Sequence, residues 1–208
     1  MFHVSTTPIK PMLLTTGLSL HGFRQARSTG DLLSYCTHLL PSSPRDYGET
    51  FIVALDISKA FDRVRHKSLL SKLPSYGFSP PLCSLISSFL ENQSMAVVVE
   101  GSISHSFSTN SGVPQGSVLS PALFLLFIKD LLHTMTNSIH SYADDCTLHS
   151  SSHFPLPPNS QTRSVSRADI ITSINADLCS ISKWGGRNLV IFNSNKNQYL
   201  QYQLYFSN

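Results

Sequence analysis

The sequence predicts an α+β fold in which an antiparallel sheet packs against helices. Strand-like and helix-like segments alternate along the 208 residues, and the strand-like segments are paired mainly as hairpins, which favours antiparallel pairing over a parallel α/β sheet. Apolar residues make up 41% of the chain, so a domain of this length can bury a substantial core. The net charge of +3 permits a polyanionic partner without requiring one.

In the first half of the chain, hydrophobic periodicity defines most elements. DLLSYCTHLL (31–40) and RHKSLLSKL (65–73) predict helices, the second ending before Pro74, and PPLCSLISSFLENQ (80–93) predicts an amphipathic helix that begins with prolines. The apolar, β-branched run FIVALDI (51–57) predicts a buried strand. MAVVVEGSISHSF (95–107) predicts a strand pair around Gly101.

In the second half, SGVPQGS (111–117) predicts a loop and SPALFLLFIKDLLHTM (120–135) a largely buried helix. SIHSY and CTLHS predict short strands on either side of an Asp pair, and the Ser- and Pro-rich residues 150–166 predict an exposed, mobile loop. RADIITSINADLCSISKW predicts a one-faced helix, and NLVIF and QYLQYQLYF predict the last strands. Residues 1–20 have no firm pattern and stay unassigned, so the predicted domain is 21–208.

Cysteine spacing and hydropathy exclude several classes of protein. The four cysteines are far apart and form no CxxC pair, which indicates reduced thiols and no disulfide framework or zinc site. The most apolar run, PALFLLFI (121–128), is too short to span a bilayer, so no membrane partner is expected.

Three aspartates carry the strongest chemical signal. Asp144 and Asp145 are adjacent in SYADDCTLH, where a plain hairpin turn is the alternative interpretation. Asp56, however, follows a run of apolar residues that should be buried, where an ionised carboxylate is costly unless it is paired or binds a metal. Three carboxylates suit a hard divalent cation such as Mg²⁺.

The segments that carry these residues resemble a known family. FIVALDISKAFDRV, SGVPQGSVLSPALFLLFIKDL and SYADDCTL, in this order, resemble motifs A, B and C of the reverse transcriptases of non-LTR (LINE-type) retrotransposons. HGFRQARSTGDLL and WGGRNLVIFNSNKNQYL resemble the segments before and after them in the same family. The resemblance covers about residues 20–200 and implies a polymerase palm with partial fingers and a missing thumb.

The resemblance implies an RNA-directed DNA polymerase that uses two Mg²⁺ ions, with Mn²⁺ as a substitute, and takes an RNA template, a DNA primer and dNTPs. The catalytic and metal-binding residues implied are Asp56 and Asp144, with Asp145 as a weaker third ligand. Lys196 matches a lysine that protonates pyrophosphate, although a plain surface lysine is an equal alternative. Asp62, in the AFD signature, is interpreted as structural or helix-capping.

Four further residues carry over as substrate contacts. Phe61 matches an aromatic side chain that excludes a 2′-hydroxyl, with a plain core role as the alternative. Gln115 and Gly116 match the loop beside the nucleotide or template, with an ordinary loop that caps the next helix at Ser120 as the alternative. Arg24 matches a template-phosphate contact, with a plain solvated side chain as the alternative. The family also implies action in the nucleus. The alternative function is a catalytically inactive retrotransposon remnant that at most binds nucleic acid.

Overall fold

The structure, a computed structural model, describes residues 20–23, 28–39, 48–91, 93–153, 166–193 and 198–203. Its helices, in chain order, are α1 (Thr29–Leu39), α2 (His66–Lys72), α3 (Pro80–Leu90), α4 (Ser120–His133) and α5 (Arg167–Asn188). Its strands are β1 (Gly48–Asp56), β2 (Ser94–Met95), β3 (Val98–Val99), β4 (Ser102–Ile103), β5 (Phe107–Ser108), β6 (Ser138–Tyr142), β7 (Asp145–His153) and β8 (Gln198–Gln203). Two 3₁₀ turns lie at Phe61–Arg63 and Pro74–Tyr76.

The described residues fall into two compact units. One contains residues 59–129 and is called the helical unit; the other contains the described parts of 16–58 and 130–208 and is called the sheet unit. Most predicted elements are present, and the predicted combination of helices with antiparallel sheets is confirmed.

The sheet unit is built on four antiparallel strands in the order β6-β7-β1-β8. Side chains alternate along β1, so that Phe51, Val53 and Leu55 are buried while the intervening residues are only partly covered. Helix α5 packs against β7, and its first residue, Arg167, also contacts β1, with the guanidinium 5.8 Å from the centre of the Phe51 ring. The buried face of α5 supplies Ile170, Ile174, Ile181 and Trp184 to the core.

The beginning of α5 follows from its first residues. Ser166 and Asp169 form a capping box, in which each side chain accepts a hydrogen bond from the backbone N–H of the other residue. This arrangement satisfies two N–H groups that the first helical turn would otherwise leave without acceptors.

The helical unit is organised around the apolar part of α4. Every side chain from Leu123 to Ile128 is at most 1% exposed, which confirms the buried helix predicted for this run. The Lys72 ammonium donates to the Phe127 carbonyl at 2.8 Å and lies 4.7 Å from the centre of the Phe127 ring, so the end of α2 is attached to α4. The predicted apolar face of α3 is only partly buried: Ile86 and Leu90 are covered, whereas Leu85 is 47% exposed.

The predicted strand NLVIF is wrong. Helix α5 continues through the two glycines to Asn188, and Leu189 adopts a left-handed conformation with φ 57°. The N–H of Val190 then donates to the Gly185 carbonyl at 2.9 Å, which closes the helix end as a left-handed cap. The backbone therefore turns at a point where the apolar residues predict an extended strand. A single antiparallel β-bridge, between Phe192 and Ile57, is formed in this segment.

Some predictions lie wholly or partly outside the described residues. Residues 150–153 of the predicted loop belong to β7, and residues 154–165 are not described. Among the helices that the structure describes, none is both long enough and apolar enough to cross a membrane.

Candidate active site

Two of the three predicted metal-binding carboxylates face each other across the sheet. Asp56 is the last residue of β1, Asp145 is the first residue of β7, and the two are direct partners in the antiparallel register. Directly opposed residues project from the same face, with Cβ atoms about 5 Å apart. Like charges in this arrangement destabilise a sheet. A cation bound between the two carboxylates would offset their mutual repulsion.

The third carboxylate, Asp144, lies in the two-residue turn between β6 and β7. Ala143 begins this turn with φ 57°, a conformation that matches the primed turns of tight hairpins. The Ser141 hydroxyl donates to the Ala143 carbonyl at 2.8 Å and stabilises this unusual backbone. Gly22 lies against the same turn, where any side chain would meet the backbone of Ala143.

Asp56 is less buried than the sequence predicts. Its neighbours Leu55 and Ile57 are buried, at 6% and 2% exposed, as expected. Asp56 itself is half-buried, because it shares the less covered face of β1 with Ile52 and Ala54. The carboxylate therefore keeps access to solvent and to a ligand.

Cys146 follows the Asp pair but lies on the opposite, core-facing side of the sheet. Burial raises the pKa of this thiol to about 12; a hydrogen bond with Ser141 opposes the shift, and the charges of Asp145 and Asp144 add to it. The thiol is therefore protonated at neutral pH, and it lies on the face of the sheet opposite Asp56 and Asp145. This leaves carboxylate oxygens as the donors at this end of the sheet.

The fit to magnesium depends on these oxygens. In the part of the chain that the structure describes, no three or more His, Cys, Asp and Glu side chains are close enough together to hold an ion. The backbone nevertheless brings Asp56, Asp144 and Asp145 to one end of the sheet. The donor set is the hard oxygen set that Mg²⁺ prefers.

A further segment runs beside Asp56. The N–H of Asn193 donates to the Asp56 carbonyl at 2.8 Å, and the N–H of Ser58 donates to the Ile191 carbonyl at 2.9 Å. Asn193 is the first residue of the Asn-x-x-Lys sequence, and Lys196 follows it three positions later in the chain. Lys196 itself and Arg24 lie outside the described residues, and their roles stay predictions.

Within the helical unit, three of the predicted substrate contacts line one cavity. Its volume is about 400 Å³, and its lining includes Phe61, Gln115 and Gly116. The Phe61 ring stacks on Phe124 with centroids 5.1 Å apart and an interplanar angle of 18°. Phe61 is only half-buried, so the packing contact holds the ring while part of it remains available to the cavity.

The loop that carries Gln115 is fixed at its base. The Ser120 hydroxyl, at the start of α4, donates to the Pro114 carbonyl at 2.6 Å, and Gly112 and Gly116 have φ values of 94° and 81°. A side chain is strained at both φ values, which explains the glycines of the motif. Gln115 is exposed beyond this fixed base.

The helix-capping interpretation of Asp62 is wrong. The 3₁₀ turn Phe61–Arg63 and helix α2 each begin without a side-chain cap, and Asp62 is exposed. Asp62 instead lines a groove of about 700 Å³ between the β2–β5 ladder and the motif loop.

Two residues that support the site were not found from the sequence. The Asp177 carboxylate on α5 accepts bonds from the N–H groups of Thr136 and Asn137, immediately before β6. The sequence does indicate Asp177, because its charge interrupts the apolar spacing between Ile174 and Ile181. His66 contacts the motif loop through its side chain, and a single histidine at a helix start carries no comparable signal.

Comparison with known proteins gives concordant results. The sequence model described as "Reverse transcriptase (RNA-dependent DNA polymerase)" matches residues 6–205. The probable RNA-directed DNA polymerase from transposon BS of Drosophila melanogaster is 35% identical over 137 residues, which are 61% of this chain and 15% of that protein. The RNA-directed DNA polymerase from mobile element jockey of the same species is 35% identical over 132 residues, which are 60% and 14% of the two chains. The chain thus spans about 15% of the length of these curated relatives.

Solved structures show the same fold. Apo telomerase from Candida tropicalis, truncated from its C-terminal domain, superposes with a TM-score of 0.66 and 14% identity, covering 99% of this chain and 42% of that chain. At this identity the likeness concerns the fold alone. Together with the mixed helices and antiparallel sheets, it confirms the predicted polymerase palm.

Proposed function

Because the chain belongs to the reverse transcriptase (RNA-dependent DNA polymerase) family, we propose that it carries out RNA-templated DNA synthesis by transferring a nucleotide from a dNTP to the 3′-hydroxyl of a DNA primer. The observation that carries this proposal is the opposed pair Asp56 and Asp145 with Asp144 in the adjoining turn. A cross-strand pair of like charges lowers stability. Its presence at the end of the sheet is therefore best explained by a bound cation.

Members of this family generally use divalent metal ions, and we propose two Mg²⁺ ions, with Mn²⁺ as a substitute, held by Asp56, Asp144 and Asp145. When bound, such ions lower the pKa of the attacking hydroxyl and neutralise charge on the leaving group. The contribution of the chain is to hold three carboxylates on neighbouring backbone positions, where β1, β7 and the turn fix their spacing.

The remaining roles belong to other side chains. Lys196, three positions after Asn193 in the sequence, donates a proton to the leaving pyrophosphate. Phe61 excludes the 2′-hydroxyl of a ribonucleotide, while Gln115 and Gly116, which line the same cavity, contact the nucleotide or template. Arg24 contacts a template phosphate. The expected setting is the nucleus, at chromosomal DNA.

Primer extension tests the proposal. The substrate is poly(rA) primed with oligo(dT), with dTTP and Mg²⁺, and the proteins are wild type, Asp144→Asn and Glu100→Gln. Glu100 is an exposed carboxylate in the turn between β3 and β4, so its neutralisation controls for the loss of one negative charge. Circular dichroism establishes that each protein is folded.

The expected result is incorporation by wild type and Glu100→Gln and none by Asp144→Asn. Extension by Asp144→Asn at the wild-type rate would refute the site assignment. A folded wild type that incorporates nothing would refute the polymerase function and favour the inactive remnant, which a filter-binding measurement with the same primed template would then examine.

A further inference from the structure

Two segments of the helical unit run side by side near the proposed nucleotide cavity. One follows Phe61 and the other contains the GVPQG loop. They are joined by an isolated antiparallel bridge between Arg65 and Ser111. Three backbone hydrogen bonds connect them: Val113 N–H to the Phe61 carbonyl at 3.0 Å, Gly112 N–H to the Val64 carbonyl at 2.9 Å, and His66 N–H to the Asn110 carbonyl at 3.2 Å.

The His66 side chain adds a fourth connection. Its Nε2 lies 2.7 Å from the Gly112 carbonyl oxygen. A carbonyl oxygen only accepts, so Nε2 carries the proton and donates it. His66 is the first residue of α2 and is half-buried. Its side chain therefore connects the start of this helix to the loop.

The carbonyl that His66 contacts belongs to a glycine with a positive φ. Gly112 has φ 94°, and a Cβ there would lie 3.4 Å from the Asp62 carbonyl oxygen, so the loop passes close against the segment after Phe61. Gln115 and Gly116, three and four residues further on, line the cavity. Two carbonyls that precede them are each held by a side chain, that of Gly112 by His66 and that of Pro114 by Ser120.

This arrangement connects residues that line the cavity. Phe61 lines it and is bonded through its own carbonyl to Val113, while Gln115 and Gly116 lie on the loop that His66 holds. A displacement of about 1 Å in a positioned group is enough to change a rate by two orders of magnitude. The difference between a deoxyribose and a ribose is a single hydroxyl group, which is of the same order of size.

We propose that His66 is a positioning residue for sugar selection: by holding the Gly112 carbonyl, it keeps the loop at the distance from Phe61 at which a 2′-hydroxyl does not fit. The inference rests on the proposed function and deepens it, since it concerns how the same cavity discriminates dNTPs from rNTPs. His66 touches neither nucleotide nor metal in this account and acts through the loop.

The test uses the full chain with His66→Ala, His66→Gln and His105→Ala. Glutamine keeps an N–H donor that can reach the same carbonyl, and His105 is an exposed histidine in the connection between β4 and β5, which serves as the matched control. Hydrogen–deuterium exchange reports the protection of residues 110–117. Equilibrium dialysis with labelled dTTP and UTP, on a poly(rA) template with a dideoxy-terminated primer and Mg²⁺, reports sugar preference without turnover.

The expected outcome is faster exchange of residues 110–117 in His66→Ala and a loss of preference for dTTP over UTP of up to about tenfold, the equilibrium equivalent of one hydrogen bond. His66→Gln should recover most of both effects, and His105→Ala should match wild type.

Two results would overturn the inference. Unchanged exchange in His66→Ala would show that the side chain does not hold the loop, whether or not the wild type extends primers. Faster exchange with an unchanged dTTP preference, or a wild type that shows no such preference, would reduce His66 to a structural role. Failure of the polymerase proposal is instead read from primer extension, so the two failures are distinguishable.

Discussion

Replacing Asp177 by alanine is expected to destabilise the sheet unit through the entry to β6. Asp177 is 2% exposed, and its carboxylate accepts three hydrogen bonds: from the Thr136 N–H at 3.0 Å, and from the backbone and side-chain amides of Asn137 at 2.8 Å each. These bonds attach the segment that precedes β6 to helix α5. Alanine removes the acceptor and leaves all three donors in place.

The magnitude follows from the charge of the acceptor and the exposure of the donors. Hydrogen bonds to a charged group are each worth about 1.5–3 kcal/mol. Thr136 is exposed and Asn137 half-buried, so water replaces part of what is lost. We therefore expect a loss of about 3 kcal/mol, which for a chain of this size lowers Tm by roughly 10 °C.

Thermal unfolding followed by circular dichroism measures the effect in Asp177→Ala and Asp177→Asn, with Asn175→Ala as the control. Asparagine keeps one acceptor oxygen but turns an N–H₂ group toward the other donors, so an intermediate loss is expected. Asn175 is exposed on the same helix, and its change should be within about 0.5 kcal/mol of wild type. A Tm of Asp177→Ala equal to that of the control would refute this account of how the helix supports β6.

Three further predictions concern the sheet unit. Gly22→Ala should force the 20–23 segment away from Ala143, because its Cβ would meet that backbone; hydrogen exchange of residues 138–142 should rise, and an unchanged pattern would argue against this contact. Burial lowers the pKa of His149 below its ordinary 6.5, so the unfolded chain binds a proton more readily than the folded chain. The stability of the wild type should therefore be full above pH 6.5 and should fall below it. Tm measured at a series of pH values should show a smaller fall in His149→Gln. Because burial raises the pKa of Cys146 to about 12, iodoacetamide at pH 8 should alkylate the exposed Cys179 first and Cys146 only after denaturation, as peptide mass spectrometry will report.

The sequence predicted elements well where one pattern dominated. The continuous apolar run of α4 and the hairpin around the Asp pair are decided by local composition, and both are present. The strand predicted for NLVIF is absent because helix α5 extends into this segment and ends at Leu189 in a left-handed conformation. That conformation depends on contacts beyond the segment.

For the candidate site, residue identity was more predictable than arrangement. The aspartates and Phe61 could be selected from their motifs, but the pairing of Asp56 with Asp145 is a property of strand register and emerges only from the ladder of hydrogen bonds. The contact from His66 to Gly112 joins residues 46 positions apart, and a single sequence carries no signal for it. Asp177 was detectable in principle, because a charge interrupts an otherwise apolar helical face.

The three aspartates lie at a strand end, a strand start and a turn, and none belongs to the buried core. The buried core and the proposed metal ligands thus use separate sets of positions, so a substitution at Asp56 or Asp145 is expected to leave the packing of the core unchanged. A copy of this domain that lost one of these aspartates would therefore be expected to keep its core and its fold while losing the proposed metal site.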